Sequence, residues 1–313
     1  MPRRVGVIGC GRWGSKHLES LRTLADEADI ECIVACDVDV SVLDSIQHQD
    51  IALHDNPKTL VERFGLDAVI IATPNATHYN LGRQFLGEGV DVFLEKPLAT
   101  TFIHASTLVS TSIQEGKVLK SGFLLRFHPC IIDARLQIKA GQIGAIQSIY
   151  YRKKSQRPSD GSSHVLDSLA IHGLDLAEFL LDGQTPLRIS EVLGTSTSSE
   201  LTLEYPNQVE VCIDVGWEEV SNVSELEIIG RDGRMLIRLQ QHHQYEIVNE
   251  RSAPQFVDSK YTPLEAVLLD FLHGDSGSIA ASTGAILRTI KYVEQARSKL
   301  PNSGRSKTRE LKR

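Results

Sequence analysis

The sequence predicts an α/β protein in two parts: a doubly wound parallel sheet over residues 1–122, then a second α/β domain with a mostly antiparallel sheet over residues 123–301. Three observations lead there. The chain has 313 residues, about twice the usual domain length. Its first part alternates short apolar runs with helical patterns, the arrangement of βαβ units. Farther on, short apolar runs follow one another across tight turns, which suits antiparallel pairing.

In the first part, residues 5–8, 30–36, 68–72, 90–94 and 118–121 read as strands, each rich in β-branched or small apolar residues and each followed by turn chemistry. Between them, residues 77–86 and 100–114 carry apolar side chains at helical spacing, and the glycines at 87 and 89 stop the first of these helices. The character changes after Phe123. A helix over 131–140, a strand over 146–154 and a long helical segment over 165–181 come first. Strands over 189–195, 201–204, 209–217, 224–229 and 234–239 follow, separated by turns such as Tyr205-Pro206-Asn207 and Gly230-Arg231-Asp232-Gly233. Helices over 263–272 and 282–300 close the domain, and the polar, basic residues 302–313 read as a disordered tail.

Composition narrows the function. Hydrophobic residues make up 41% and charged residues 23%, enough for sizeable cores and unlike a disordered chain. A formal charge of -7 argues against a protein that wraps nucleic acid, which usually presents a basic face to phosphates. The cysteines, Cys10, Cys32, Cys36, Cys130 and Cys212, form no C-x-x-C pair and no zinc spacing, and His242-His243 have no partnered acid, so no metal is expected. Cys32 and Cys36 lie in one apolar run and read as small buried residues. The start of the chain enters a strand directly, without a signal-peptide region, and no run is long enough to span a bilayer. A cytoplasmic protein with a small-molecule ligand is the expectation. No G-x-S-x-G elbow or Walker sequence is present, which removes the obvious hydrolase and phosphoryl-transfer readings.

The strongest local signal is Gly9-Cys10-Gly11-Arg12-Trp13-Gly14, a G-x-G-x-x-G run between the first strand and a helix expected to begin near Ser15. In that context Gly9 permits the tight turn, Gly11 lets the backbone approach a pyrophosphate, Gly14 allows close helix packing, and the helix N-terminus offers free N–H groups to the anion. This is the turn of a Rossmann dinucleotide site. The second strand ends at Cys36-Asp37, where such a site places an acid on the adenosine ribose hydroxyls. Asp37 favours NAD, because its carboxylate repels a 2′-phosphate, although NADP is not excluded by a single acid.

Beyond these, Phe93-Leu94-Glu95-Lys96-Pro97 resembles the E-K-P signature of the Gfo/Idh/MocA oxidoreductases. The resemblance extends through Ala72-Thr73-Pro74-Asn75-Ala76-Thr77-His78, Gly122-Phe123, Arg126-Phe127-His128-Pro129, Gly141-Gln142-Ile143-Gly144 and Ala170-Ile171-His172-Gly173-Leu174-Asp175. It implies a Rossmann domain followed by an open, mostly antiparallel α/β domain, assembled as a homodimer or homotetramer. It implies hydride transfer between NAD(P) and a secondary alcohol of a sugar, nucleotide sugar or cyclic polyol. Lys96 would be the active-site lysine, stabilising alkoxide-like charge as hydride leaves, and His172 the general acid-base residue. Arg12, Trp13, Thr73, Pro74, Asn75, His78, Glu95 and Arg126 would line the cofactor.

One departure stands out. Many catalytic members carry an aspartate four residues before this histidine, where this chain has Ser168. On a regular helix His164, Ser168 and His172 form one row, and Ser168 supplies a hydrogen bond but no negative charge. Asp175 could serve in part, and a shifted register would bring Asp167 into the site. Ser168 motivates two alternatives: a non-catalytic dinucleotide-binding sensor or assembly subunit, and a redox-neutral, NAD-assisted lyase or glycosidase. For the substrate, the cluster Tyr150-Tyr151-Arg152-Lys153-Lys154 with Arg157 suggests phosphate binding through Arg152, while a solvated outer strand is at least as plain a reading of it.

Overall fold

The computed structural model describes residues 2–159, 161, 163–249, 253–274 and 279–300, so the expected tail at 302–313 lies outside the described residues. The N-terminal part runs β1 (Arg3–Ile8), α1 (Arg12–Thr23), β2 (Ile30–Cys36), α2 (Val40–Asp44), β3 (Ile51–His54), α3 (Leu60–Phe64), β4 (Ala68–Ile71), α4 (His78–Gly87), β5 (Asp91–Leu94), α5 (Phe102–Glu115) and β6 (Leu119–Ser121). Its strands form a six-stranded sheet in the order β3-β2-β1-β4-β5-β6, every pair parallel. Strands covered on both faces are apolar without alternation; all four residues of β4 are buried. Strand order reverses between β1 and β4, and the crevice beyond their C-terminal ends is where ligands bind in such sheets.

The second part runs α6 (Pro129–Lys139), β7 (Ile146–Lys154), a π-helical turn at Leu166–Ala170 leading into α7 (Ile171–Leu180), β8 (Arg188–Gly194), β9 (Ser198–Glu204), β10 (Glu210–Gly216), β11 (Val223–Gly230), β12 (Arg234–Arg238), β13 (Gln244–Val248), β14 (Ala253–Phe256), α8 (Pro263–His273) and α9 (Thr283–Lys299). The sheet is eight-stranded, in the order β14-β13-β12-β11-β7-β10-β9-β8. Every neighbour pair is antiparallel except β7 with β10. The outer-strand reading of the basic cluster is therefore corrected: β7 is an inner strand, hydrogen-bonded to β10 on one side and β11 on the other. Its Ile149 and Tyr151 are buried, because an inner strand turns alternate residues onto the core.

α8 opens with a capping box of Thr262 and Glu265, worth about 1 kcal/mol for the cap alone. It crosses back to the parallel sheet, where Val267, Leu268 and Phe271 share a core with Leu21 and Phe93, and the Phe93 and Phe271 ring centroids lie 5.6 Å apart. Lys120 of β6 pairs with Asp270 of the same helix. Among the described residues no helix is long and apolar enough to cross a membrane, and no group of His, Cys, Asp and Glu could hold a metal ion.

Candidate active site

The glycine-rich turn follows β1. Gly9 sits at φ +85°, where L side chains are strained, and a Cβ at Gly14 would lie 1.8 Å from the Gly9 oxygen. Gly11 is different: a Cβ there would meet nothing within 4 Å. The helix starts at Arg12 rather than near Ser15, with Gly11 as its N-cap and no side chain capping it. Its first turn is thus left without a side-chain cap, beside the open space at Gly11, a setting suited to an anion. Asp37, at the end of β2, accepts hydrogen bonds from the backbone N–H of Cys10 at 2.8 Å and of Asp39 at 3.0 Å. Beside it a cavity of about 480 Å³, lined by Gly9, Asp37, Thr73, Pro74 and Thr77, has the apolar walls that an adenosine needs. Residues and space thus fit a dinucleotide.

A second cleft continues from the first turn of α1 between the two sheets. Its mouth is lined by Arg12, Trp13, Thr73, Pro74, Asn75, Glu95 and Lys96; its inner part, about 320 Å³, by Lys96, Tyr151, Lys153, Ser168, His172 and Trp217 among others. Glu95 directly follows β5 and is buried; its Oε1 lies 2.8 Å from His17 Nε2, and the Lys96 N–H donates to its Oε2 at 3.2 Å. Burial opposes ionisation of Glu95, but the hydrogen bond and charge of His17 outweigh it and hold the carboxyl below its ordinary range.

Lys96 Nζ donates to the Ser168 carbonyl at 3.0 Å, tying the loop after β5 to the π turn before α7. Burial lowers its pKa, Glu95 resists, and Arg12 and Arg157 add to the lowering. His172 lies in the same cleft with its Nδ1 buried and without a hydrogen-bond partner among the described residues. Burial first, then the charges of Lys96 and Lys153, push its pKa well below the ordinary value. The imidazole is therefore neutral at neutral pH.

Several expectations are corrected here. His78 does not reach the cleft: it is fully buried, with Nδ1 2.8 Å from the Pro97 carbonyl and Nε2 2.9 Å from the Thr73 carbonyl, and so holds two loops together. Arg126 also lies behind the site. Its Nε donates to both oxygens of Asp175, at 2.9 and 3.0 Å, in a buried pair. Asp175 is thereby committed to Arg126 and supplies no partner to His172. A π turn at Leu166–Ala170 interrupts the regular helix between His164 and His172, yet Ser168 and His172 still line one cleft, and His164 does not join them there. Asp167 is buried away from the cleft, with Arg297 Nη1 3.0 Å from its carboxylate, and burial raises its pKa to about 6 against that pairing. Ser168 keeps only hydroxyl chemistry, with its Oγ 2.9 Å from Ser163 Oγ.

Arg152 is corrected as well. It is on the face of β7 turned away from the cleft, 3.8 Å from Glu225 and half exposed, while Tyr151, Lys153 and Ser155 face the cleft. Strand alternation from Tyr151, the buried aromatic, was the signal that selects Lys153 instead. Trp217, at the end of β10, had no local signal; the sheet alone brings it beside Lys96.

Comparison with known proteins agrees with this geometry. Residues 3–123 match the family model GFO_IDH_MocA, described as the oxidoreductase family, NAD-binding Rossmann fold. The scyllo-inositol 2-dehydrogenase (NAD(+)) of Bacillus subtilis is 30% identical over 199 residues, covering 58% of this chain and 54% of the relative. Inositol 2-dehydrogenase 2 of Saccharopolyspora erythraea is 27% identical over 184 residues, covering 58% and 54%. The chain thus spans about half the length of these relatives. Among solved structures, UDP-N-acetylglucosamine 3-dehydrogenase GnnA from Acidithiobacillus ferrooxidans superposes with a TM-score of 0.80 at 20% identity, covering 95% of this chain and 97% of its own. A mutant of KijD10, a 3-ketoreductase from Actinomadura kijaniata solved with TDP-benzene and NADP, gives 0.82 at 19% identity, covering 95% and 98%. At such identities these two show the shared fold. The glycine-rich turn and the E-K-P loop thus lie within the part of the chain, residues 3–123, that matches the NAD-binding Rossmann fold of this oxidoreductase family.

Proposed function

We propose that the protein is an NAD(P)-dependent dehydrogenase that transfers hydride between the nicotinamide and a secondary alcohol of a sugar, nucleotide sugar or cyclic polyol. The observation that carries this reading is the position of Lys96, in the loop after β5, and His172, in α7, on one cleft that opens at the first turn of α1. Gly9, Gly11, Gly14 and the α1 N–H groups hold the pyrophosphate, and Asp37 takes the ribose hydroxyls, favouring NAD over NADP. Thr73, Pro74, Asn75 and Glu95 flank the nicotinamide half. NAD, when bound, supplies the hydride acceptor or donor. Lys96 donates a hydrogen bond to the substrate oxygen and favours negative charge there. His172, neutral in its buried setting, takes the proton of the alcohol during oxidation and returns it during reduction, a step worth about 10²- to 10⁴-fold. We read the chain further as a cofactor domain over residues 1–122 and a substrate domain over residues 123–301, in a cytoplasmic homodimer or homotetramer.

The test is an absorbance screen for reduced cofactor with NAD and NADP against inositols, sugars, sugar phosphates and UDP-sugars. Lys96→Met and His172→Ala should each lose at least about 100-fold in turnover, while NAD still quenches the fluorescence of Trp13. Silence across the panel in a protein that binds NAD refutes the dehydrogenase and favours a sensor or a redox-neutral enzyme.

A further inference from the structure

Three consecutive basic residues end β7, and they meet different fates. Arg152 lies 3.8 Å from Glu225, and Lys154 Nζ lies 2.5 Å from Asp214 and 3.1 Å from Glu219. Lys153, the one that faces the cleft, finds only a hydroxyl among the described residues: its Nζ donates to Ser224 Oγ at 3.0 Å. Around it, the described residues that line the inner cleft include four cationic side chains, Arg12, Lys96, Lys153 and Arg157, and no aspartate or glutamate. Glu95, at the mouth, is engaged with His17. A partly buried ammonium without an anion is costly, and burial accordingly lowers the Lys153 pKa. Such a charge is understandable where the counter-charge arrives with the ligand.

We propose that Lys153 is a substrate-binding, specificity-determining residue, and that the substrate carries an anionic group, carboxylate or phosphate, which pairs with Lys153 beside the reacting hydroxyl. The inference deepens the dehydrogenase reading and rests on it for the reaction, but not for the anion. Its geometry is favourable because Lys153, Lys96 and His172 share one cleft, so an anion held by Lys153 lies within reach of the group that Lys96 and His172 act on. It also suits the missing aspartate: Ser168 adds no negative charge that would repel the incoming anion.

The test compares acidic and neutral members of one substrate series on the full chain with saturating NAD: glucuronate and gluconate for the carboxylate, glucose 6-phosphate for the phosphate, glucose and myo-inositol as neutral compounds. Wild type should prefer one acidic class over its neutral counterpart by at least about tenfold in kcat/KM, and which class it prefers identifies the source of the charge. Lys153→Met should cut that preference by about tenfold to hundredfold, chiefly through KM, and Lys153→Arg should restore most of it. Calorimetric titration of the NADH-bound protein with the same compounds gives a second readout. If nothing is turned over but an acidic compound binds, and binds at least about tenfold more weakly to Lys153→Met, the anion site stands while the dehydrogenase reading falls. A wild type that prefers neutral compounds, a preference unchanged in a folded Lys153→Met, or no binding of any acidic compound overturns the proposal.

Discussion

Alanine at Gly14 and, separately, at Gly11 should injure the protein in opposite ways. At Gly14 the new methyl would stand 1.8 Å from the Gly9 oxygen and 2.8 Å from its carbonyl carbon. Ordinary contact is near 3.5 Å, so α1 must retreat by roughly 1.5 Å from the turn it packs on. The obstruction is backbone and cannot rotate away. Overpacking of this kind costs at the upper end of the usual range, about 3 kcal/mol, which in a chain of this size lowers Tm by about 5–10 °C. At Gly11 a methyl meets nothing within 4 Å, and φ of -66° suits alanine. The stability cost there is the weaker N-cap preference of alanine, about 1 kcal/mol or less. The same methyl fills the space over the α1 N-terminus, so the NAD dissociation constant should rise at least about tenfold, or 1.4 kcal/mol. Thermal melts by circular dichroism and NAD titrations by tryptophan fluorescence separate the two effects. A Gly11→Ala protein that binds NAD like wild type shows that the open space is not the phosphate seat, and equal Tm losses at both positions refute the packing argument.

Other perturbations probe the remaining parts of the site. Asp37→Ser should move the NADP-to-NAD ratio of kcat/KM at least about tenfold towards NADP by removing a repelling carboxylate; an unchanged ratio reduces Asp37 to a holder of the Cys10 and Asp39 backbone. Asp175→Asn leaves Arg126 buried without its carboxylate and should cost about 3–5 kcal/mol, while Arg126→Met with Asp175→Leu should recover most of it; a single variant that melts like wild type would contradict the buried pair. The pH dependence follows from His172. Its folded pKa is depressed, so the folded state binds fewer protons than the unfolded chain below about pH 6.5. Its contribution to stability is complete above that pH, falls as pH drops towards the folded pKa and levels off beneath it. For the same reason alcohol oxidation should keep its rate as pH falls through 6.5, and an acid limb centred above pH 7 would assign the base to another group.

The parallel strands were legible because strands covered on both faces must be apolar throughout, as in β4. The short β3 was not, since four residues with Leu53 45% exposed leave no run to detect. β13 and β14 escaped notice for a related reason: polar residues precede β13, and Pro254 marks β14 as an edge strand with little apolar pattern. The glycine-rich turn and Asp37 could be placed from local chemistry, whereas Lys96 and His172 were reached only through the resemblance of the motifs that carry them. His78 and Arg126 sit in motifs of equal clarity, but motifs do not separate a residue that touches a ligand from one that braces the loops around it. That distinction is made by tertiary contacts, here the carbonyls of Thr73 and Pro97 and the carboxylate of Asp175. Nor does spacing reveal a π turn, yet Ser168 shares the cleft with His172 and Asp167 turns away to Arg297, as the helical spacing of Ser168 and His172 suggests.

The inner position of β7 has a consequence for how the pocket can change over evolution. A strand hydrogen-bonded along both edges yields little to an arriving ligand, and its amides should be among the slowest to exchange with solvent. The groups it aims at the cleft are thus preorganised, with their entropy already lost on folding. New ligand preferences are then reached most directly by exchanging single side chains at alternate positions of β7, with the backbone left as it is, while the loop that follows the strand can lengthen or shorten without moving them.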